Sequence, residues 1–192
     1  MRLPALLSML LAITLLGEVG AAASPPPTPG PLRIDAGLLV APPVALPTGL
    51  ATGITAGVAR GGLLEWGARI SWASATESSL AWTVTHQDLR LRATAAVAHA
   101  FGRGTIALRL GAGGTLVHED RVRNQGKRAG LSGSALETTA WTLLPAADLE
   151  LEVVLHVTPA WSMTVTGGPS LHLLDGGVTA GWVGGLGVAW QP

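Results

Sequence analysis

From residue 88 to residue 119 the chain alternates with a period of two. Leu89, Leu91, Ala93, Ala95 and Val97 occupy one parity, whereas Asp88, Arg90, Arg92 and Thr94 occupy the other. This is the period of a β-strand, whose successive side chains point to opposite faces. Gly102-Arg103-Gly104 then supplies residues that tolerate positive φ in a short reversal. Beyond it Ile106, Leu108, Leu110 and Ala112 resume the apolar face, opposite Arg109, Gly111, Gly113 and Thr115. The pattern predicts a long hairpin with its charges on one face.

The rest of the chain repeats this unit. Leu32, Ile34, Ala36, Leu38 and Val40 alternate with Arg33, Asp35 and Gly37 in a first strand. A second is predicted over residues 50–60 and a third over 63–73, where Leu64, Trp66, Ala68, Ile70 and Trp72 face away from Glu65, Gly67, Arg69 and Ser71. Residues 74–86 read as a longer polar connection, with an extension of a strand beyond the membrane over 80–84 as the alternative, and residues 118–135, rich in charge and glycine, as a mobile loop. A sixth strand begins near Leu136 and is clear where Asp148, Glu150 and Glu152 share a parity. The seventh runs over residues 161–173, and the last over 178–190, with Trp182, Leu186, Val188 and Trp190 on one face. That makes eight strands.

Their connections are short after strands two, four and six and longer after one, three and five; the one after strand seven is also short. Short turns on one side and longer loops on the other are the habit of outer-membrane barrels, as is an even strand number. The strand from Asp88 to Phe101, at ~3.3 Å per residue and ~40° of tilt, rises roughly 33 Å, enough for an apolar band of ~25 Å. A helical reading of the uncharged stretch 36–59 fails on Pro42, Pro43 and Pro47.

Ahead of the strands, a charged start, an apolar run and Ala21-Ala22-Ala23 have the three parts of a secretory signal, so residues 1–23 are expected to be cleaved. A proline-rich linker, 24–31, follows, and residues 32–192 form the barrel domain. Composition points the same way: 48% of residues are hydrophobic and only 12% charged, with a mean hydropathy of +0.43. An ordinary soluble chain carries about 25% charged residues. A net charge of zero gives no footprint for nucleic acid, and the absence of cysteine removes disulfides and a thiol nucleophile.

In these features the chain resembles the small eight-stranded outer-membrane barrels of the OmpA, OmpX and OmpW kind. The resemblance covers the signal, the strands from Leu32 to Trp190 and the connection lengths. It implies an all-β, antiparallel up-and-down transmembrane barrel, inserted by the barrel-assembly machinery into a bacterial outer membrane. Such chains usually end on an aromatic residue that this machinery reads; here Gln191 and Pro192 follow Trp190. A closed barrel leaves no strand edge to pair, so a monomer is expected.

Alternation alone does not say which face is inside, since a soluble lipocalin-like calyx alternates too. Composition assigns the polar face to the lumen. Arg33, Asp35, Glu65, Arg69, Arg90, Arg92, Arg109, Asp148, Glu150 and Glu152 then form an ion-pair network inside an eight-stranded barrel, whose interior is just wide enough for side chains to fill. Such a network is either a static plug or the gate of an OmpW-like narrow channel. Trp66, Trp72, Trp182 and Trp190 are assigned to aromatic girdles, because Trp182 and Trp190 stand roughly 20 Å apart in height. Arg121, Arg123, Lys127 and Arg128 form a basic loop suited to the phosphates of lipopolysaccharide.

The histidines suggest little chemistry. His99 reads as interfacial, and His156 and His172 as hydrogen-bonded groups of the lumen. His118-Glu119-Asp120 alternates between faces, which is poor geometry for a metal. Some barrels of this size modify lipid A, but the nearest histidine–hydroxyl spacing, His156 and Thr158, falls at the wrong end. The expectation is a structural or surface-interaction protein without cofactor or catalytic site.

Overall fold

The computed structural model describes residues 30–44, 49–79, 82–123, 138–174 and 176–192. The signal segment, most of the linker, Lys127 and Arg128 lie outside them. The strands are β1 (Leu32–Ala41), β2 (Ala51–Gly61), β3 (Leu64–Ser78), β4 (Trp82–Phe101), β5 (Gly104–Arg123), β6 (Thr138–His156), β7 (Trp161–Leu174) and β8 (Gly177–Trp190). Each pairs antiparallel with its neighbours in sequence, and β8 returns to β1 to close the barrel.

Two differences from the sequence reading concern strand length. Residues 74–78 and 82–86 are ladder, not loop, so the connection after β3 is short, and β5 continues through His118 to Arg123. The reason lies in where these strands run. Above the apolar band the outward face turns polar, and hydrophobic alternation fades while the backbone ladder continues. Cross-strand hydroxyl pairs take its place: Thr76 and Thr85 at 3.4 Å, and Ser78 and Thr83 at 3.3 Å. Arg121 and Arg123 therefore stand on the end of a strand instead of in a loop.

Neighbouring residues of β5 show which face is which: Leu108 is 54% exposed and Arg109 3%. Leu38, Ile54, Leu91, Leu151, Val165 and Leu186 all present their side chains outward, while the charged parity is buried. A soluble calyx needs the opposite arrangement, so the lipocalin alternative fails on this point. The lumen is layered. At the short-turn end it is closed by small apolar side chains, Ala96, Ala98 and Ala107. Charged side chains fill the middle. Towards the other end Leu39, Ala41, Ala51, Ala73, Ala75 and Val183 form a second apolar cluster. Gly57 makes room for a charged side chain: a Cβ there would stand 2.8 Å from Asp35 Oδ1.

Candidate functional site

The charged middle layer is built from five strands. Arg33 on β1, Glu65 on β3, Arg109 on β5 and Glu152 on β6 form a ring in which cations and anions alternate. Its sides are Arg33 to Glu152 at 3.0 Å, Glu152 to Arg109 at 2.5 Å, Arg109 to Glu65 at 3.5 Å and Glu65 to Arg33 at 3.3 Å. Arg69 joins it from β3, with NH1 2.6 Å from Glu150 and NH2 3.9 Å from Asp35. The side chains cross the lumen, so β1 is tied to β6 although the two strands are not neighbours.

Arg92 is the most completely satisfied of the cations. Its Nε donates to Asp148 at 2.5 Å, NH1 to the carbonyl of Gly114 at 2.6 Å and NH2 to Thr115 at 2.9 Å. Ser170 Oγ donates to the other Asp148 oxygen at 2.5 Å. Arg90 departs from the expected pattern: it contacts none of the β6 acids, and NH2 instead meets Asp88 of its own strand at 3.3 Å. Its Nε and NH1 are buried without a hydrogen-bond partner among the described residues. His86 extends the polar column upward, 3.5 Å from Glu119, which in turn pairs with Arg121.

Space in this layer is small. The cavity between Leu39, Arg69, Arg90, Arg92, Glu150 and Val183 measures about 20 Å³, room for about one water. A guanidinium fork holding a desolvated carboxylate is a strong, directional contact. Chemically the arrangement can rigidify the barrel and block it.

The histidines divide. His156 Nδ1 lies 2.8 Å from Ser162 Oγ, and Nε2 lies 3.4 Å from Thr105 Oγ1. His172, also expected to be hydrogen-bonded, has a buried Nε2 with no partner among the described residues. The Ser162 contact escaped the sequence because it joins residues facing each other across the β6–β7 hairpin. His118 points outward, packs on Trp141 with ring centroids 4.0 Å apart and lies 3.5 Å from Asp120.

Trp66, Trp72, Trp182 and Trp190 all stand on the outer face. Trp161, not singled out from the sequence, faces Trp190 in the β7–β8 register and shares its level at the short-turn end. Its position directly after the Thr158-Pro159-Ala160 turn was the available signal.

Comparison with known proteins gives a fold and no more. No family model matches the chain, and no curated protein matches it. Among solved structures, Ail, the attachment invasion locus protein of Yersinia pestis, aligns over 85% of this chain and 99% of its own, with 13% identity and a TM-score of 0.54. A major outer membrane protein from Thermus thermophilus aligns over 84% of this chain and 99% of its own, with 12% identity and a TM-score of 0.54.

Proposed function

We propose, from a fold that is that of the small eight-stranded outer-membrane barrels, that the chain resides in a bacterial outer membrane as a monomeric barrel with a closed lumen. Its role is structural, with surface interaction carried by the long-loop end. The observation behind this is the pairing of a continuous apolar exterior with the ring Arg33–Glu152–Arg109–Glu65 across the interior. An apolar exterior needs lipid around it, and a lumen strapped by buried ion pairs leaves no continuous water column. The ring therefore serves as a plug in this reading.

The long-loop end carries the interaction. Arg121 is exposed near the end of β5, and Lys127 and Arg128 follow it in the sequence. Lipopolysaccharide phosphates are the partner this basic chemistry suits, and outer-membrane lipids surround the rest. The tryptophans anchor the barrel at the two lipid–water boundaries.

The deciding experiment has two steps. Protein extracted from isolated outer membranes in detergent is run boiled and unboiled on a gel, and the unboiled form is expected to migrate as a compact barrel. Reconstituted into a planar bilayer, it is expected to pass no discrete current steps. Reproducible unitary conductance that changes with Arg109→Leu would replace the plug with an OmpW-like channel.

A further inference from the structure

The ladder that closes the barrel is only half the length of β8. The β1–β8 ladder runs from Ile34↔Trp190 to Val40↔Gly184 and stops, while β8 continues to Gly177 paired only with β7. The cause is in the sequence of β1: Pro42 and Pro43 follow Ala41, and two successive residues without N–H cannot extend a ladder on either side. Pro42 instead leans on Gly181, where an added Cβ would meet its Cγ at 3.3 Å. A cavity of about 350 Å³ opens there between Pro42–Val44 and β8, within the roughly 300–1,000 Å³ of ordinary ligand sites.

This cavity has two ends of different character. On the outer face it is bordered by Ala180 and the exposed ring of Trp182, and on the lumen side by Arg90, Ser170 and His172. Arg90 is 3% exposed and His172 4%, and among the described residues neither Arg90 Nε and NH1 nor His172 Nε2 has a hydrogen-bond partner. A buried guanidinium left partly unpaired is costly. The acids nearby do not relieve it. Asp88 reaches one terminal nitrogen at 3.3 Å. Asp148 is already held by Arg92 and Ser170. Among the described residues five donors on Arg90 thus face one contact, and the side chain lines a cavity that Ala180 and Trp182 border on the outer face.

We propose that the open end of the β1–β8 seam binds the acidic headgroup of an amphiphile, held by Arg90, with the hydrocarbon chain leaving past Trp182. The inference rests on the barrel being membrane-inserted. Trp182 stands eight positions above Trp190, roughly 20 Å in height at strand rise and tilt, which sets the cavity at the headgroup level of one leaflet. An anionic oxygen entering there completes the Arg90 fork, and His172 Nε2 supplies a second polar contact.

The test uses the full chain folded in maltoside micelles, with dodecyl phosphate, dodecanol and inorganic phosphate as probes, and bound ligand counted by native mass spectrometry. One dodecyl phosphate per barrel is expected, with neither dodecanol nor inorganic phosphate displacing it at equal concentration. Arg90→Gln is expected to weaken binding at least tenfold, while Arg60→Gln on the exposed surface leaves it unchanged. Gly181→Leu, which fills the cavity and keeps Arg90, guards against a fold defect and is expected to abolish binding with the heat-dependent gel shift intact. Equal binding by wild type and both site variants overturns the site. Displacement by inorganic phosphate overturns the amphiphile and leaves a free-anion site. A wild-type chain with no gel shift overturns the membrane reading itself, a result distinct from lost binding in a barrel that still shifts.

Discussion

Arg109 and Glu152 meet at 2.5 Å on neighbouring strands, and Glu152 simultaneously accepts from Arg33, which reaches it across the lumen at 3.0 Å. A carboxylate 1% exposed thus holds two guanidinium groups together. Removing one member of a buried pair strands the others, at a typical cost of about 3–5 kcal/mol. Glu152→Leu is therefore expected to lower stability by about that amount. Urea titration of the gel-shifted form in detergent would read it; a midpoint equal to wild type would remove Glu152 from the stability argument.

Replacing a buried pair together is a different experiment from breaking it. Arg109→Leu combined with Glu152→Leu removes both charges and leaves Arg33 with Glu65. Such replacements are often neutral or stabilising. The double variant is expected to recover most of the stability lost by Glu152→Leu and to remain non-conducting in planar bilayers. A double variant as unstable as the sum of the singles would show that the two residues act independently, contrary to the contact.

The sequence carried the faces of the barrel but not its partners. Parity alone puts Arg33, Glu65, Arg109 and Glu152 on one side of the sheet. It does not say that Arg33 meets Glu152, 119 residues away. That contact depends on the relative heights of β1 and β6, which the stagger of the strands sets. For the same reason Arg90, two residues from Arg92, misses Asp148 and turns to Asp88. Residues 74–78 and 82–86 were hard to read as strand because hydroxyl pairing replaces hydrophobic alternation above the apolar band. Pro42 and Pro43 mark the end of β1 in the sequence, but their effect on the seam appears only once β8 is placed opposite.

Adjacent glycines at the first short turn differ in both conformation and space. Gly61 has φ of +149°, and a Cβ there would stand 1.9 Å from the Leu64 carbonyl oxygen, while Gly62 has nothing within 4 Å. Gly61→Ala is expected to cost about 1–3 kcal/mol, the range for a residue forced into a sparsely populated backbone region. Gly62→Ala is expected to stay within about 0.5 kcal/mol of wild type. Parallel urea titrations compare them, and equal midpoints for the two variants would contradict the turn geometry.

Trp182 and Trp190 test how the barrel sits in lipid. Both rings face outward on β8, eight residues apart, so strand rise and tilt separate them by roughly 20 Å along the barrel axis. An apolar band of ~25 Å then places each ring near one boundary, and neither at the centre. Variants retaining only one of these tryptophans, reconstituted into vesicles, are expected to be quenched more by lipids brominated near the headgroup than by lipids brominated near the chain end. Leu186, midway between them on the same face and 62% exposed, provides the internal contrast when replaced by tryptophan, because its ring belongs with the chain ends and its quenching order should reverse. The same order at all three positions would mean that the apolar exterior does not span a bilayer.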